Sequence, residues 1–182
     1  MTPRIYLDHA ATTPLRDDAR DAMLPWLGAS VAANPSSIHR SGQRARNAIE
    51  TAREQVAAAL GGHPAEVLFT SGATEADQLA LRGVLASGGA KGQRRPLVVN
   101  AAEHAAVTAN ARAAERDGHV VTWLDPGPEG VPSLASLDAA LGRLAVPGAL
   151  VCVMHTNNET GVRADVAAMA EVAHAHGAIL LC

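Results

Sequence analysis

The chain has 182 residues and a mass of 18.7 kDa, with 48% hydrophobic and 18% charged residues, which is the composition of one folded domain, or one plus an arm. A formal net charge of −3 leaves no excess of cations to neutralise a phosphate backbone, and 2% aromatics leave no base-stacking platform, so no nucleic acid is expected as partner. No run of about 18 consecutive apolar residues occurs, so no membrane is expected either.

From the start, Asp8 and His9 stand where a signal peptide would need an apolar core. Ile5–Leu7 reads as a short extended piece, Asp17–Trp26 as a helix and Asn34–Ser37 as a turn. Gln43–Leu60 follows as a long helix, in which Ala45, Ala48, Ile49, Ala52, Val56 and Leu60 recur at helical spacing. Residues 1–62 thus form an N-terminal arm with packing helices. Residues 63–182 alternate short apolar runs with helical patterns. Glu66–Thr70, Pro96–Asn100, Val120–Leu124, Leu150–Met154 and Ala178–Cys182 are the predicted strands. Thr74–Ala86, His104–Arg116, Ser133 to about Leu144, and Asp165–His176 are the predicted helices between them. This order predicts a three-layer α/β/α fold with a mostly parallel sheet, and the continuously apolar strands agree with a sheet covered on both faces. Gly88–Arg95 is a polar, glycine-rich surface connection that holds Lys91, the only lysine of the chain. The last strand runs to Cys182 with no turn after it, a pattern that predicts a domain continuing further.

Four places have the residue types for chemistry. In Phe69-Thr70-Ser71-Gly72-Ala73-Thr74-Glu75 a strand runs into Ser-Gly and a helix begins at once. Such a helix start offers the free N–H groups of Gly72, Ala73 and Thr74, a favourable dipole and the Thr74 hydroxyl, which suits a phosphate monoester. It is neither a P-loop nor a dinucleotide fingerprint, and a plain cap by Ser71 or Thr74 would use the same residues. His104 follows a strand, where parallel sheets bind ligands, although capping the next helix is the simpler role for it. His155-Thr156-Asn157-Asn158-Glu159-Thr160-Gly161 also follows a strand and is either a turn or a set of groups that orients a polar ring. Asn34–Gly42 and Asp8–Pro14 read as loops and caps. Cys152 and Cys182 are too few for a disulfide framework and lack metal-ligand spacing, so no metal and a reducing, cytoplasmic setting are expected.

In order, YLDHAATTP at 6–14, NPSSIHRSGQRAR at 34–46, FTSGATEAD at 69–77, AEHAAV at 102–107 and MHTNNETG at 154–161 closely resemble the first half of a cysteine desulfurase. The type is NifS/IscS, within the class V aminotransferase group of pyridoxal-phosphate enzymes; Gln78, where relatives usually have Asn, is a small departure. The resemblance implies pyridoxal 5'-phosphate as cofactor. It gives Ala73 and Thr74 the cofactor phosphate, His104 stacking on the pyridine ring with a possible part in proton transfer, and Asn158 a hydrogen bond to the ring's phenolic oxygen. It also implies conversion of L-cysteine to L-alanine with an enzyme-bound persulfide, a sulfur-acceptor protein for iron–sulfur assembly or tRNA thiolation, and a homodimer. The family's Schiff-base lysine stands in Ser-x-His-Lys, which Lys91 does not match. That lysine, the persulfide cysteine and the C-terminal small domain are expected beyond Cys182, so the 182 residues alone are expected to be inactive. The alternatives are a non-catalytic phosphate-binding or dimerisation module, and a selenocysteine lyase or other class V aminotransferase.

Overall fold

The structure is a computed structural model, and it describes residues 5–28, 32–88 and 92–182. Lys91 lies outside the described residues. The chain forms two compact units, one up to Phe69 and one from Thr70 to Cys182.

In the first unit α1 (Asp17–Met23) passes into a 3₁₀ turn at Leu24–Trp26, where Pro25 has no N–H to continue the α-helical ladder. The long helix α2 (Arg40–Leu60) starts ahead of the predicted Gln43, because His39 caps it: the His39 ring accepts a hydrogen bond from the Gly42 N–H at 3.3 Å. Gly42 is required by space. A Cβ there would lie 2.5 Å from the Ser37 carbonyl and 2.6 Å from that of Asn34. Gly61, with φ of 69°, ends α2 in the left-handed conformation that glycine adopts without strain. Of the predicted apolar stripe, Ala45 is buried, whereas Ile49, Val56 and Leu60 are exposed.

Glu66–Thr70 does not form the predicted strand. Pro64–Glu66 is a 3₁₀ turn closed by a reciprocal cap between His63 and Glu66, and residues 67–70 pair with no strand among the described residues. Arg53 of α2 instead donates to the Val67 carbonyl, and its guanidinium lies 5.1 Å from the centre of the Phe69 ring. An apolar, β-prone run becomes a strand only where a partner edge is available.

In the second unit α3 (Ala73–Ala86), β1 (Leu97–Asn100), α4 (Ala105–Arg116), β2 (Val121–Leu124), α5 (Leu134–Gly142), β3 (Leu150–Cys152), α6 (Val166–Ala175) and β4 (Ile179–Leu181) follow in order. The four strands form one all-parallel sheet in the order β2-β1-β3-β4. Alternate residues face opposite sides. Leu97, Val99, Leu150 and Cys152 pack against Leu81 and Leu85 of α3 and Val107 and Ala111 of α4. Val98, Val151 and Val153 pack on the other face against Leu137 and Leu141 of α5 and Met169 and Ala173 of α6. The fold is therefore the three-layer α/β/α arrangement that the alternating pattern predicts. Ser133 caps α5 as expected, and Asp165 caps α6 through a hydrogen bond from the Ala168 N–H at 3.1 Å.

The strand order places the functional region. From β1 the chain moves to one side of the sheet to build β2, and from β3 it moves to the other side to build β4. The crevice between the carboxyl ends of β1 and β3 is thus a topological switch point, where open α/β sheets bind ligands.

Candidate active site

Three segments meet at that edge of the sheet. The first is the N-terminus of α3. Its N-cap is Gly72, with no side-chain cap, so neither Ser71 nor Thr74 caps it. The N–H groups of Gly72, Ala73 and Thr74 and the Thr74 hydroxyl have no hydrogen-bond acceptor among the described residues. Ser71 is engaged instead with Glu75, whose carboxylate accepts from the Ser71 N–H at 2.7 Å and from its hydroxyl at 2.6 Å. Those two bonds hold the Glu75 carboxyl below the usual carboxylate range and fold its charge back ahead of the helix. What remains is a set of exposed donors at the positive end of a 14-residue helix, with Gly72 leaving open space beside its backbone. That donor set fits a phosphate monoester.

The second segment is the loop after β1. His104 is the N-cap of α4, and its Nδ1 accepts from the Ala106 N–H at 3.1 Å. The capping role is thus realised. It also turns Nδ1 to the backbone and leaves Nε2 outside the cap on an exposed imidazole. The third segment is the loop after β3. Asn158 is exposed, and its Nδ2 donates to Glu159 at 2.8 Å. The loop closes on itself through Asn157 N–H to the Val162 carbonyl at 2.9 Å and Gly161 N–H to the Asn157 carbonyl at 2.8 Å.

Burial raises the Glu103 carboxyl, and the charge of Asp77, one turn into α3, adds to the rise. Burial is the larger cause of that rise, opposed by the hydrogen bond that Glu103 accepts from the Met154 N–H. The Cys152 thiol lies beneath the same groups. Burial first, and then the charges of Glu103 and Asp77, push it up to about 12. Cys152 is therefore a buried small hydrophobe and no nucleophile. In the native protein near pH 8 it is expected to resist thiol reagents and to label only on global unfolding; labelling before the unfolding transition would contradict this.

Sequence reasoning missed Asn100, which is 0% exposed, and the partners of Asn157, which is 4% exposed; these are the two buried polar side chains among the described residues. The available signal was an amide ending the otherwise apolar run Leu97–Asn100.

Comparison with known proteins places the chain in a family. Residues 5–182 match the family model Aminotransferase class-V, and the chain belongs to that family of pyridoxal-phosphate-dependent enzymes. It is 42% identical over 170 residues to Cysteine desulfurase IscS of Vibrio cholerae serotype O1, which covers 92% of this chain and 41% of that protein. A solved structure of SspA in complex with cysteine superposes with a TM-score of 0.84 at 32% identity, over 96% of this chain and 49% of the other. A NifS-like protein superposes with a TM-score of 0.86 at 28% identity, over 99% of this chain and 49% of the other. The chain thus spans less than half the length of these relatives.

Proposed function

We propose that these residues are the cofactor-binding part of a cysteine desulfurase that converts L-cysteine to L-alanine and passes sulfur, through an enzyme-bound persulfide, to an acceptor protein. The observation that carries the reading is the set of unpartnered donors of Gly72, Ala73 and Thr74 at the start of α3. They lie beside a switch-point crevice flanked by the loops of His104 and Asn158. The relatedness to IscS supports the choice of reaction.

Pyridoxal phosphate, when bound, supplies an electron sink for charge at the substrate α-carbon. The protein's part is binding, orientation and proton handling. Ala73 and Thr74 hold the phosphate through N–H groups and the Thr74 hydroxyl, in the positive field of α3. His104 offers its exposed ring as a platform, and Nε2 is the ring nitrogen left to exchange a proton while Nδ1 stays bound to Ala106. Asn158 directs its amide to the ring's phenolic oxygen once Nδ2 leaves Glu159. The proposal includes a homodimer and a reducing cytoplasm, in which both cysteines are thiols.

The test is spectroscopic titration with pyridoxal phosphate, together with alanine release from L-cysteine, on the protein expressed from its complete gene. Saturable binding with alanine release is expected, and absence of saturable binding would overturn the reading. A polypeptide of only these 182 residues has Lys91 as its single lysine, outside any Ser-x-His-Lys segment. It is expected to bind the cofactor reversibly and release no alanine. Alanine from that polypeptide would show that another residue does the lysine's work.

A further inference from the structure

Two loops emerge at the switch point, and nothing in a parallel sheet joins loops beyond the last ladder bond. Here they are joined twice. Glu103 in the loop after β1 accepts from the Met154 N–H just beyond β3. Asn157 in the loop after β3 donates from Nδ2 to the Ala102 carbonyl at 3.3 Å. Each anchor is itself held. The Asn157 Oδ1 accepts from the Glu159 and Thr160 N–H groups at 2.9 and 3.0 Å, which shapes the turn that presents Asn158. Asn100 accepts from the Ala102 N–H at 3.1 Å and donates to the Gly130 carbonyl at 3.1 Å, while the Glu103 N–H returns to the Asn100 carbonyl at 3.1 Å. Apart from the Gly130 carbonyl, these groups lie within two residues of His104, Asn158 or the strand ends that launch them.

Burial of Asn100 and Asn157 has a physical cost that only fully made hydrogen bonds offset. An apolar residue in place of Asn157 would fill the same space but would lose the bond to the Ala102 carbonyl, one of the two that join the loops. We infer that Glu103 and Asn157 are positioning residues that clamp the loop of His104 to the loop of Asn158, so that the two side chains are presented as one rigid pair. The importance of that pair for catalysis rests on the cysteine desulfurase reading; the clamp itself does not.

The experiment follows amide hydrogen exchange by mass spectrometry in the protein expressed from its complete gene. Wild type is compared with Glu103→Ala, Glu103→Gln and Asn157→Ala. Loss of either cross-loop bond is expected to speed exchange about tenfold in both segments, 101–104 and 154–161, the scale of one net hydrogen bond, with α5 and α6 unchanged. Glu103→Gln keeps an acceptor for Met154 and is expected to exchange like wild type. Acceleration confined to the loop that holds the substitution would overturn the clamp. If Asn157→Ala unfolds globally, which rapid exchange in α6 reveals, the contrast between Glu103→Ala and Glu103→Gln decides the matter alone. A second readout is affinity for pyridoxal phosphate, expected to fall in both alanine variants and to recover in Glu103→Gln. Failure of wild type to bind the cofactor would remove the functional reading and leave the exchange result to judge the clamp.

Discussion

Replacing Ala73 by proline is expected to lower affinity for pyridoxal phosphate roughly tenfold to a hundredfold, the loss of one hydrogen bond to a charged group, without lowering the denaturation midpoint. Ala73 is the first residue of α3, where the backbone N–H has no intrahelical acceptor and proline is well tolerated. Gly72 before it is extended, with ψ of 178°, as the residue preceding a proline should be. The substitution therefore deletes one phosphate donor and leaves the helix intact. It also restricts the unfolded chain, so the midpoint is expected to hold or rise slightly. Thr74→Ala removes the hydroxyl donor and is expected to act in the same direction, with Thr74→Ser retaining most of the affinity. Titration of the cofactor beside denaturant unfolding separates the cases. Unchanged affinity in Ala73→Pro would mean that the phosphate does not sit at the start of α3. A fall in both quantities together would make Ala73 a structural position.

The same helix start shows how far sequence reading reaches. An apolar run, Ser-Gly and an immediate helical pattern are local signals, and they located the free N–H groups of α3 because helix initiation is itself local. His104 and the Asn157-Asn158 turn were found for a related reason: both directly follow apolar runs that became β1 and β3, and in a parallel sheet every such position lies at the same edge. The run at 66–70 misled because its composition is that of a strand, while its place was settled by what surrounds it, an arginine of α2 and no strand partner among the described residues. The cross-loop bonds were illegible for the opposite reason. Glu103 and Met154 are 51 residues apart and Asn157 and Ala102 are 55 apart, so neither partner carries a mark of the other until the sheet brings β1 beside β3. In the sequence Glu103 simply precedes His104 and Asn157 precedes Asn158, forming an adjacent polar pair. Burial divided that pair: Asn157 faces inward and builds the loop, while Asn158 faces outward.

Leu81→Ala and Leu137→Ala are expected to destabilise the protein alike and to differ in what they do to the site. Both side chains are essentially fully buried, and truncating either removes packed methylene groups and leaves a cavity, at a cost of about 2–5 kcal/mol. They lie on opposite faces of the sheet. Leu137 holds α5 beside Leu141 and Met169, away from the loops at the carboxyl edge, so its loss is expected to lower the denaturation midpoint with little change in cofactor affinity at concentrations where the protein is folded. Leu81 is one of only two buried residues of α3, the other being Leu85. The alignment of the Ala73 and Thr74 donors depends on how firmly that helix is docked against β1, β3 and α4. With Leu81 shortened, α3 keeps one buried anchor, and affinity for pyridoxal phosphate is expected to fall severalfold on top of the stability loss. Denaturant midpoints and cofactor titrations on the two variants make the comparison. Equal losses of affinity would mean that the donors owe their placement to global stability; loss in Leu81→Ala alone would assign it to the docking of α3.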